Sequence, residues 1–445
     1  MTLSQKKRNF TVIIAITLLL IFCMLISPAL IVFDAQNINF LRAASASGIQ
    51  NNPQEQLKPF DHIILTWAGN PATTQAVTWR SRVDDKKSVA EVATAKASPD
   101  FVKSARQISA ATSSLKINTE NVSYHSVNFT ALDPNTLYAY RVGNGDIWSE
   151  WFQFRTAGNK AEPFSFLYFG DAQNHILSLW SRTIRAAIKE APKARFMIHA
   201  GDMVDSPNYD RDWNEWFNAG GWIFATIPSM PAVGNHEYRE LKKKRRTLSE
   251  FWSPQFTLPE NGISGLEETV YYLDFQGARF VVLNSNKKIE QQASWLEKVL
   301  KHNPNLWTVV VFHHPVYSSI RGRDNKRVRD HWEPLFEKFK VDLVLQGHDH
   351  VYSRGRGPGK ADGPVYITSV SGPKMYNLAR ADWMDRAGGN VQLFQVVSIS
   401  SEVLNYKSIT VTGEIYDAFD LVKEDGQNSK LINRIPVEKA TSTDN

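Results

Sequence analysis

Five short stretches, each closing an apolar run, constrain this chain more than anything else in it. They are Gly170-Asp171-Ala172-Gln173, Gly201-Asp202-Met203-Val204-Asp205, Gly234-Asn235-His236-Glu237, Val310-Val311-Phe312-His313 and Gly347-His348-Asp349-His350. The run before the second, Arg195-Phe196-Met197-Ile198-His199-Ala200, reads as a strand entering a buried sheet. A strand ending in Gly-Asp sets a carboxylate at the C-terminal edge of its sheet, where open α/β sheets bind ligands. One such dipeptide is ordinary turn chemistry. Five stretches in order, offering four Asp, one Asn and several His, carry the ligand set of a pair of divalent or trivalent metal ions. Two neighbouring ions need a ligand that bridges them, and a carboxylate does this best. Asp202 is the expected bridge. Asp171 and His350 would complete one site, and Asn235, His313 and His348 the other. His348 and His350 share a face on extended backbone, but a tight loop can aim them at different ions.

The length of 445 residues favours two domains, and the hydrophobic fraction of 42% suits large cores. A single cysteine excludes an intrachain disulfide, a zinc ribbon and thiol chemistry. The net charge of +6 is modest for this length and demands no nucleic-acid partner. Lys6, Lys7 and Arg8 precede an apolar run from Thr11 to Phe33. Residues 1–35 therefore read as a signal or anchor segment whose positive flank keeps the N-terminus inside and sends the bulk of the chain out. A cleaved signal would end near Ala43-Ala44-Ser45-Ala46. The length of the run favours an uncleaved membrane anchor, with Cys23 as an apolar residue inside it. Either way the protein is exported, to the periplasm, the cell surface or the medium. Residues 36–58 are polar and small and read as a tether.

Residues 59–158 show short alternating runs divided by turn residues, the pattern of an all-β sandwich. Ile63–Trp67, Ala76–Trp79, Tyr124–Phe129, Leu137–Val142 and Trp151–Arg155 are the predicted strands. His62 and His125 read as packed or surface residues. Residues 163–422 alternate strands with helical stretches, and residues 423–445 thin into a polar tail. Predicted helices cover Leu177–Ile188, Trp213–Phe224, Gln291–Leu300 and Trp332–Phe339. Trp213, Trp216 and Trp222 read as core, or one of them as the wall of a cleft.

Together the motifs resemble the signature of the calcineurin-like metallophosphoesterases, and within them the purple acid phosphatases. The resemblance rests on Gly234-Asn235-His236-Glu237, His313-His314-Pro315-Val316-Tyr317 and Gly347-His348-Asp349-His350-Val351-Tyr352. Leu132-Asp133-Pro134-Asn135-Thr136-Leu137-Tyr138 adds the turn-and-tyrosine element of fibronectin type III domains. The resemblance implies a four-layer α/β/β/α core of two facing mixed sheets, preceded by a fibronectin type III-like domain. It implies hydrolysis of phosphate esters, with Asp171, Asp202, Asn235, His313, His348 and His350 matching the family's metal ligands and His236 its catalytic histidine. Two positions depart from the pattern. The purple enzymes carry an iron-binding tyrosinate three residues after the bridging Asp, where this chain has Asp205. Other calcineurin-like enzymes use a His two residues after the first Asp, where it has Gln173. Gln173 is expected near the first ion or its water, and Asp205 outside the ligand set. Two ions among Fe, Zn and Mn are expected, without purple colour.

In the expected reaction a metal-bridging hydroxide attacks the phosphorus of a small phosphate monoester. His236 acts as general acid or hydrogen-bond donor to the leaving group, or else only orients Asn235. His314 either touches substrate or caps its strand. Arg321, Arg323 and Arg327 either bind an anionic group of the substrate or sit in a solvated loop. Lys242-Lys243-Lys244-Arg245-Arg246 either steers anions or is plain surface. A phosphodiesterase or nucleotidase with the same metals is a second reading. A surface binding protein with a vestigial metal site is a third.

Overall fold

The computed structural model describes residues 59–81, 87–241, 245–423 and 428–435. The apolar run at 11–33, the tether, Lys242–Lys244 and the end of the polar tail lie outside the described residues. No helix among the described residues is long and apolar enough to cross a membrane.

The sandwich comprises β1 (Phe60–Thr66), β2 (Gln75–Ser81), β3 (Val89–Thr94), β4 (Arg106–Ser109), β5 (Ala111–Ile117), β6 (Glu120–Phe129), β7 (Leu137–Gly143) and β8 (Phe152–Arg155). They form two antiparallel sheets, ordered β1-β2-β6-β5 and β4-β3-β7-β8. Strands β3, β4 and β5 escape the sequence reading. In β5 the run Ala111-Thr112-Ser113-Ser114 is exposed at every position, so it has no alternation to find. The predicted tyrosine turn is present: the Tyr138 hydroxyl accepts from the Asp133 N–H at 2.9 Å.

The second region begins with β9 (Phe164–Phe169), α1 (Ser181–Glu190), β10 (Met197–His199), α2 (Asp210–Gly220) and β11 (Ser229–Pro231). It continues through β12 (Tyr238–Leu241), β13 (Arg245–Leu248), α3 (Trp252–Gln255), β14 (Tyr271–Phe275), β15 (Ala278–Val282), α4 (Ile289–Lys301), β16 (Trp307–Val311) and α5 (Lys326–Lys338). It ends with β17 (Leu343–Gln346), β18 (Tyr352–Gly355), β19 (Val365–Thr368), β20 (Met384–Gly388), β21 (Leu393–Ile399), β22 (Val403–Thr410), β23 (Ile415–Val422) and β24 (Lys430–Asn433).

Two mixed sheets result, β11-β10-β9-β21-β22-β23-β24 and β14-β15-β16-β17-β19-β18-β20. The centre of the second sheet is parallel and buried on both faces, which is why Trp307-Thr308-Val309-Val310-Val311 and Leu343-Val344-Leu345 read as unbroken apolar runs, while the first sheet is parallel only from β11 to β9. Alternate residues serve different cores. Val309, Val311, Leu343 and Leu345 join the core shared with the first sheet, while Val310 and Val344 pack with Trp332 and Phe336 of α5. The sheets meet through aromatic rings. Phe166 of β9 stacks on Phe196 at 5.1 Å and meets Phe280 of β15 edge-on at 5.3 Å.

Helix α5 begins at Lys326, well before the predicted Trp332, because its first turns are mostly charged and bury only Val328. The predicted Trp213–Phe224 helix ends at Gly220 and gives way to a short 3-10 turn. Trp213 and Trp216 are fully buried, but Trp222 is 61% exposed, against the expected packing. Strand β24 extends the first sheet into the polar C-terminal stretch, pairing Leu431 with Leu421.

The sandwich docks on this core through a buried polar knot. Arg80 is fully buried and donates to Asp61 at 2.6 Å, Asp210 at 2.5 Å and Asn214 at 2.6 Å. His62 stacks on Phe217 at 4.0 Å and pairs with Asn214 at 2.8 Å. The Tyr140 hydroxyl donates to the Ala225 carbonyl at 2.7 Å. His125 is buried in the sandwich against Ser81 and Thr112.

Candidate metal centre

The five strand-ending stretches converge at the carboxyl edges of the two facing sheets. Asp171 follows β9, Asp202 follows β10, Asn235 follows β11, His313 follows β16 and His348 follows β17. The glycines preceding the ligands serve close approach. A Cβ on Gly234 would overlap Asp202 Oδ1, and one on Gly347 would overlap Asp171 Oδ2. Asp202, His348 and His350 are left-handed, with φ of 51°, 74° and 50°. A side chain there costs on the order of 1 kcal/mol per residue, and such strain gathers at functional sites.

Two clusters of possible ligand atoms form, each within 4.8 Å: Asp202 with His313 and His348, and Asp171 with Asp202 and His350. They share Asp202. The left-handed loop sends His348 to one cluster and His350 to the other. Asn235 joins the first of these, its Oδ1 lying 3.2 Å from His313 Nε2.

The tautomers are held from behind. His313 Nδ1 donates to the Ala200 carbonyl at 2.9 Å, and His350 Nδ1 donates to the Lys374 carbonyl at 2.8 Å. Their Nε2 atoms face the carboxylates: His313 lies 3.0 Å from Asp202 Oδ2, and His350 lies 3.4 Å from Asp171 Oδ1. His348 Nδ1 lies 3.2 Å from His313 Nε2. Asp171 Oδ1 is buried with no hydrogen-bond partner. A set of buried acceptors turned inward suits a cation, so the residues fit the pair of metal ions.

Burial disfavours charge on His313, but Asp202 and Asp171 outweigh it and push the imidazole up to about 9. Burial likewise raises Asp202, yet His313 and His236 hold it below the usual carboxylate range. Burial, then the positive His313 and neighbouring His314, keep His348 neutral, the form a metal ligand needs. Behind Asp202 sits Glu237, fully buried and accepting from the N–H groups of Asp202 at 2.8 Å, Met203 at 2.8 Å and Gly234 at 2.7 Å. It ties the second and third stretches together. Burial and the Asp202 charge push it up to about 8 against those three donors.

His236 donates its backbone N–H to Asp202 Oδ1 at 2.7 Å and its Nδ1–H to the Asp205 carbonyl at 2.6 Å. That fixes the ring with Nε2 available. Gln173 lies beside the cluster of Asp171, Asp202 and His350: its Nε2 donates to Asp202 Oδ2 at 3.0 Å and lies 3.1 Å from His350 Nε2. Its Oε1 accepts from Lys374 Nζ at 3.2 Å. The Asp205 carboxylate lies outside both clusters, 3.6 Å from His236 Nδ1 and 3.8 Å from Lys374 Nζ.

His314 packs its ring 4.3 Å from that of His348 and pairs Nδ1 with Ser285 Oγ at 2.8 Å. Arg323 turns inward. It donates to the His348 carbonyl at 3.0 Å and Asp349 Oδ1 at 3.1 Å, and covers the Tyr376 ring at 4.8 Å. Arg321 is exposed, and Arg327 is held by Glu290 on the surface. Lys374 and Tyr376, which stacks on His350 at 4.6 Å, are absent from the sequence reading. Their segment has no regular structure and carries no periodic signal. Glu237 had a signal, its place in the Gly-Asn-His-Glu stretch.

Comparison with known proteins agrees with this arrangement. Residues 60–156 match the family described as Purple acid Phosphatase, N-terminal domain, and residues 164–352 match Calcineurin-like phosphoesterase. The chain is 28% identical to Purple acid phosphatase 21 of Arabidopsis thaliana over 57% of its own length and 59% of that protein. It is 25% identical to Purple acid phosphatase 1 of Ipomoea batatas over 64% of its length and 66% of that protein. The chain spans less than two thirds of the first curated relatives it matches. Its fold is similar to purple acid phosphatase PPD1 from Lupinus luteus, with a TM-score of 0.71 at 19% identity over 83% of this chain and 75% of that one. It is also similar to PhoD, with a TM-score of 0.61 at 12% identity over 86% and 94%. The two matched regions follow one another along the chain, and the chain belongs to the purple acid phosphatase family of calcineurin-like phosphoesterases.

Proposed function

We propose that this protein hydrolyses small phosphate monoesters at a dinuclear metal centre, on the outer side of a membrane. The observation that carries the reading is the pair of acceptor-lined clusters sharing Asp202. Asp202 would be shared by the two ions, Asp171 and His350 would hold one, and Asn235, His313 and His348 the other. Bound there, two ions among Fe, Zn and Mn lower the pKa of water to near neutrality and offset charge on the phosphoryl oxygens.

The chain's own residues do the rest. Glu237 clamps the backbone of Asp202 and Gly234 and so sets the spacing of the two halves. His236, with its tautomer set by the Asp205 carbonyl, presents Nε2 to the leaving-group oxygen and donates a proton or hydrogen bond to it. Gln173 orients Asp202 and His350 rather than ligating, because Lys374 holds its oxygen away from the cluster. Asp205 supports His236 and supplies no phenolate, so the protein has no purple band. In this proposal the two mixed sheets are the inner layers of a four-layer α/β/β/α core, and residues 1–35 direct the chain across the membrane.

The test is metal analysis of residues 59–445 alongside turnover of p-nitrophenyl phosphate and bis(p-nitrophenyl) phosphate. Two metal equivalents with faster monoester turnover is the expected result. Faster diester turnover would make the protein a phosphodiesterase, and metal without turnover of either would make the centre a binding site.

A further inference from the structure

Beside the half of the centre that carries Asn235, His313 and His348 lies an open cavity of about 360 Å³. His314 is the wall between them, with one face on His348 and its edge in the cavity. The floor is bonded to the metal-binding segment. Asn286 lines the cavity and donates to the carbonyls of Val233 and Gly234, at 3.3 and 3.2 Å, immediately before Asn235. Four of the lining residues are cationic: Arg246, Lys287, Lys326 and Arg327. Asp324 is the one acid among the lining residues, and it turns to Arg329 at 2.7 Å. Lys326 and Arg327 are engaged by Asp330 and Glu290. No ion pair of Lys287 is seen among the described residues, and it lies over the Tyr238 ring at 5.0 Å; Arg246 is exposed on β13.

Four cations from three separate elements therefore surround a cavity one imidazole away from the metal-binding cluster. Like charges are brought together at a cost, and the arrangement is favourable once an anion lies among them. We propose that this cavity is a specificity subsite for a second phosphate group, so that the preferred substrates are small organic molecules carrying at least two phosphates. One phosphate lies at the metal centre and is hydrolysed. The other lies against Arg246 and Lys287, which a phosphate dianion suits better than a carboxylate because it offers three acceptor oxygens. The inference rests on the phosphoesterase reading for its catalytic meaning, but the subsite can be tested without turnover.

The test compares binding of butane-1,4-bisphosphonate and n-butylphosphonate to the metal-loaded protein by calorimetry, and hydrolysis of the corresponding phosphate esters. The bisphosphonate is expected to bind at least about tenfold more tightly, as charge-assisted contacts require. Arg246→Ala with Lys287→Ala should remove that preference, while Arg246→Lys should keep part of it. Both side chains sit at the surface, and an unchanged melting temperature shows that the variants fold. Equal affinity for the two phosphonates, or a preference that survives the double substitution, overturns the subsite. If the preference holds and is lost in the variant while neither ester is turned over, the subsite stands and the phosphoesterase reading falls.

Discussion

Two buried polar clusters in this molecule have opposite characters. At the junction of sandwich and core, the Arg80 guanidinium is met on every side by Asp61, Asp210 and Asn214. Positive and negative charge close on themselves within the knot. At the sheet edges, Asp171, Asp202, Asn235, His313, His348 and His350 turn acceptors toward one another with no lysine or arginine among them, and Asp171 Oδ1 is left with no partner. The first cluster is complete as folded. The second becomes complete when cations enter it. Burial of polar groups therefore does not by itself mark a functional site. A deficit of donors, held in place by bonds from behind, does.

The strongest way to break this contrast is Asp202→Asn. An amide bridges two cations poorly, so metal should be lost and hydrolysis should fall by about a thousandfold or more, some 4 kcal/mol of barrier. Metal content and p-nitrophenyl phosphate turnover check it, and a variant with full metal and full activity would remove the two-ion assignment. Next comes Arg80→Met, which leaves Asp61 and Asp210 facing each other without their counter-ion. Losing one partner of a buried ion pair costs about 3–5 kcal/mol, and the lower end applies because Asp61 is 32% exposed. Urea unfolding measures this, and a loss under about 1 kcal/mol would mean that the knot is not the closed network described.

The smallest effect sharpens the boundary of the centre. Gln173→Ala should weaken metal binding by about tenfold through misplacement of Asp202 and His350. Asp205→Ala should leave metal affinity nearly unchanged, because its carboxylate is turned to His236 and Lys374. If titration shows the reverse, Asp205 has taken the place of the missing tyrosine as a direct ligand.

Much of the centre was legible from the chain because each proposed ligand sits where an apolar strand stops. Strand ends are local events, written in runs such as Trp307–Val311 and in glycines that must lack a Cβ. The sandwich was harder to read. Strands β3, β4 and β5 were missed: β4 and β5 are exposed edge strands that bury too little to show alternation, and β3 is an interior strand buried at Val89, Ala90, Val92 and Ala93, whose side chains on both faces break the alternation. Arg323 shows the limit for charged residues. Its place in a polar loop suggested an anion contact, but it is drawn in against Asp349 and the His348 carbonyl, where it holds the ligand loop.

The sequence by itself determined that strands ending in Asp, Asn and His would line one sheet edge, because side-chain direction and turn chemistry act over a few residues. Only the tertiary structure decided which of them meet. Asp171 lies against His350, and Asp202 against His313, across more than a hundred residues of chain. It also decided that Lys374 would hold Gln173 and that Tyr376 would cover His350, from a segment with no regular structure. Such contacts arise when two sheets close face to face. The aromatic packing between Phe166, Phe196 and Phe280 drives that closure, and no local pattern records where its edges will meet.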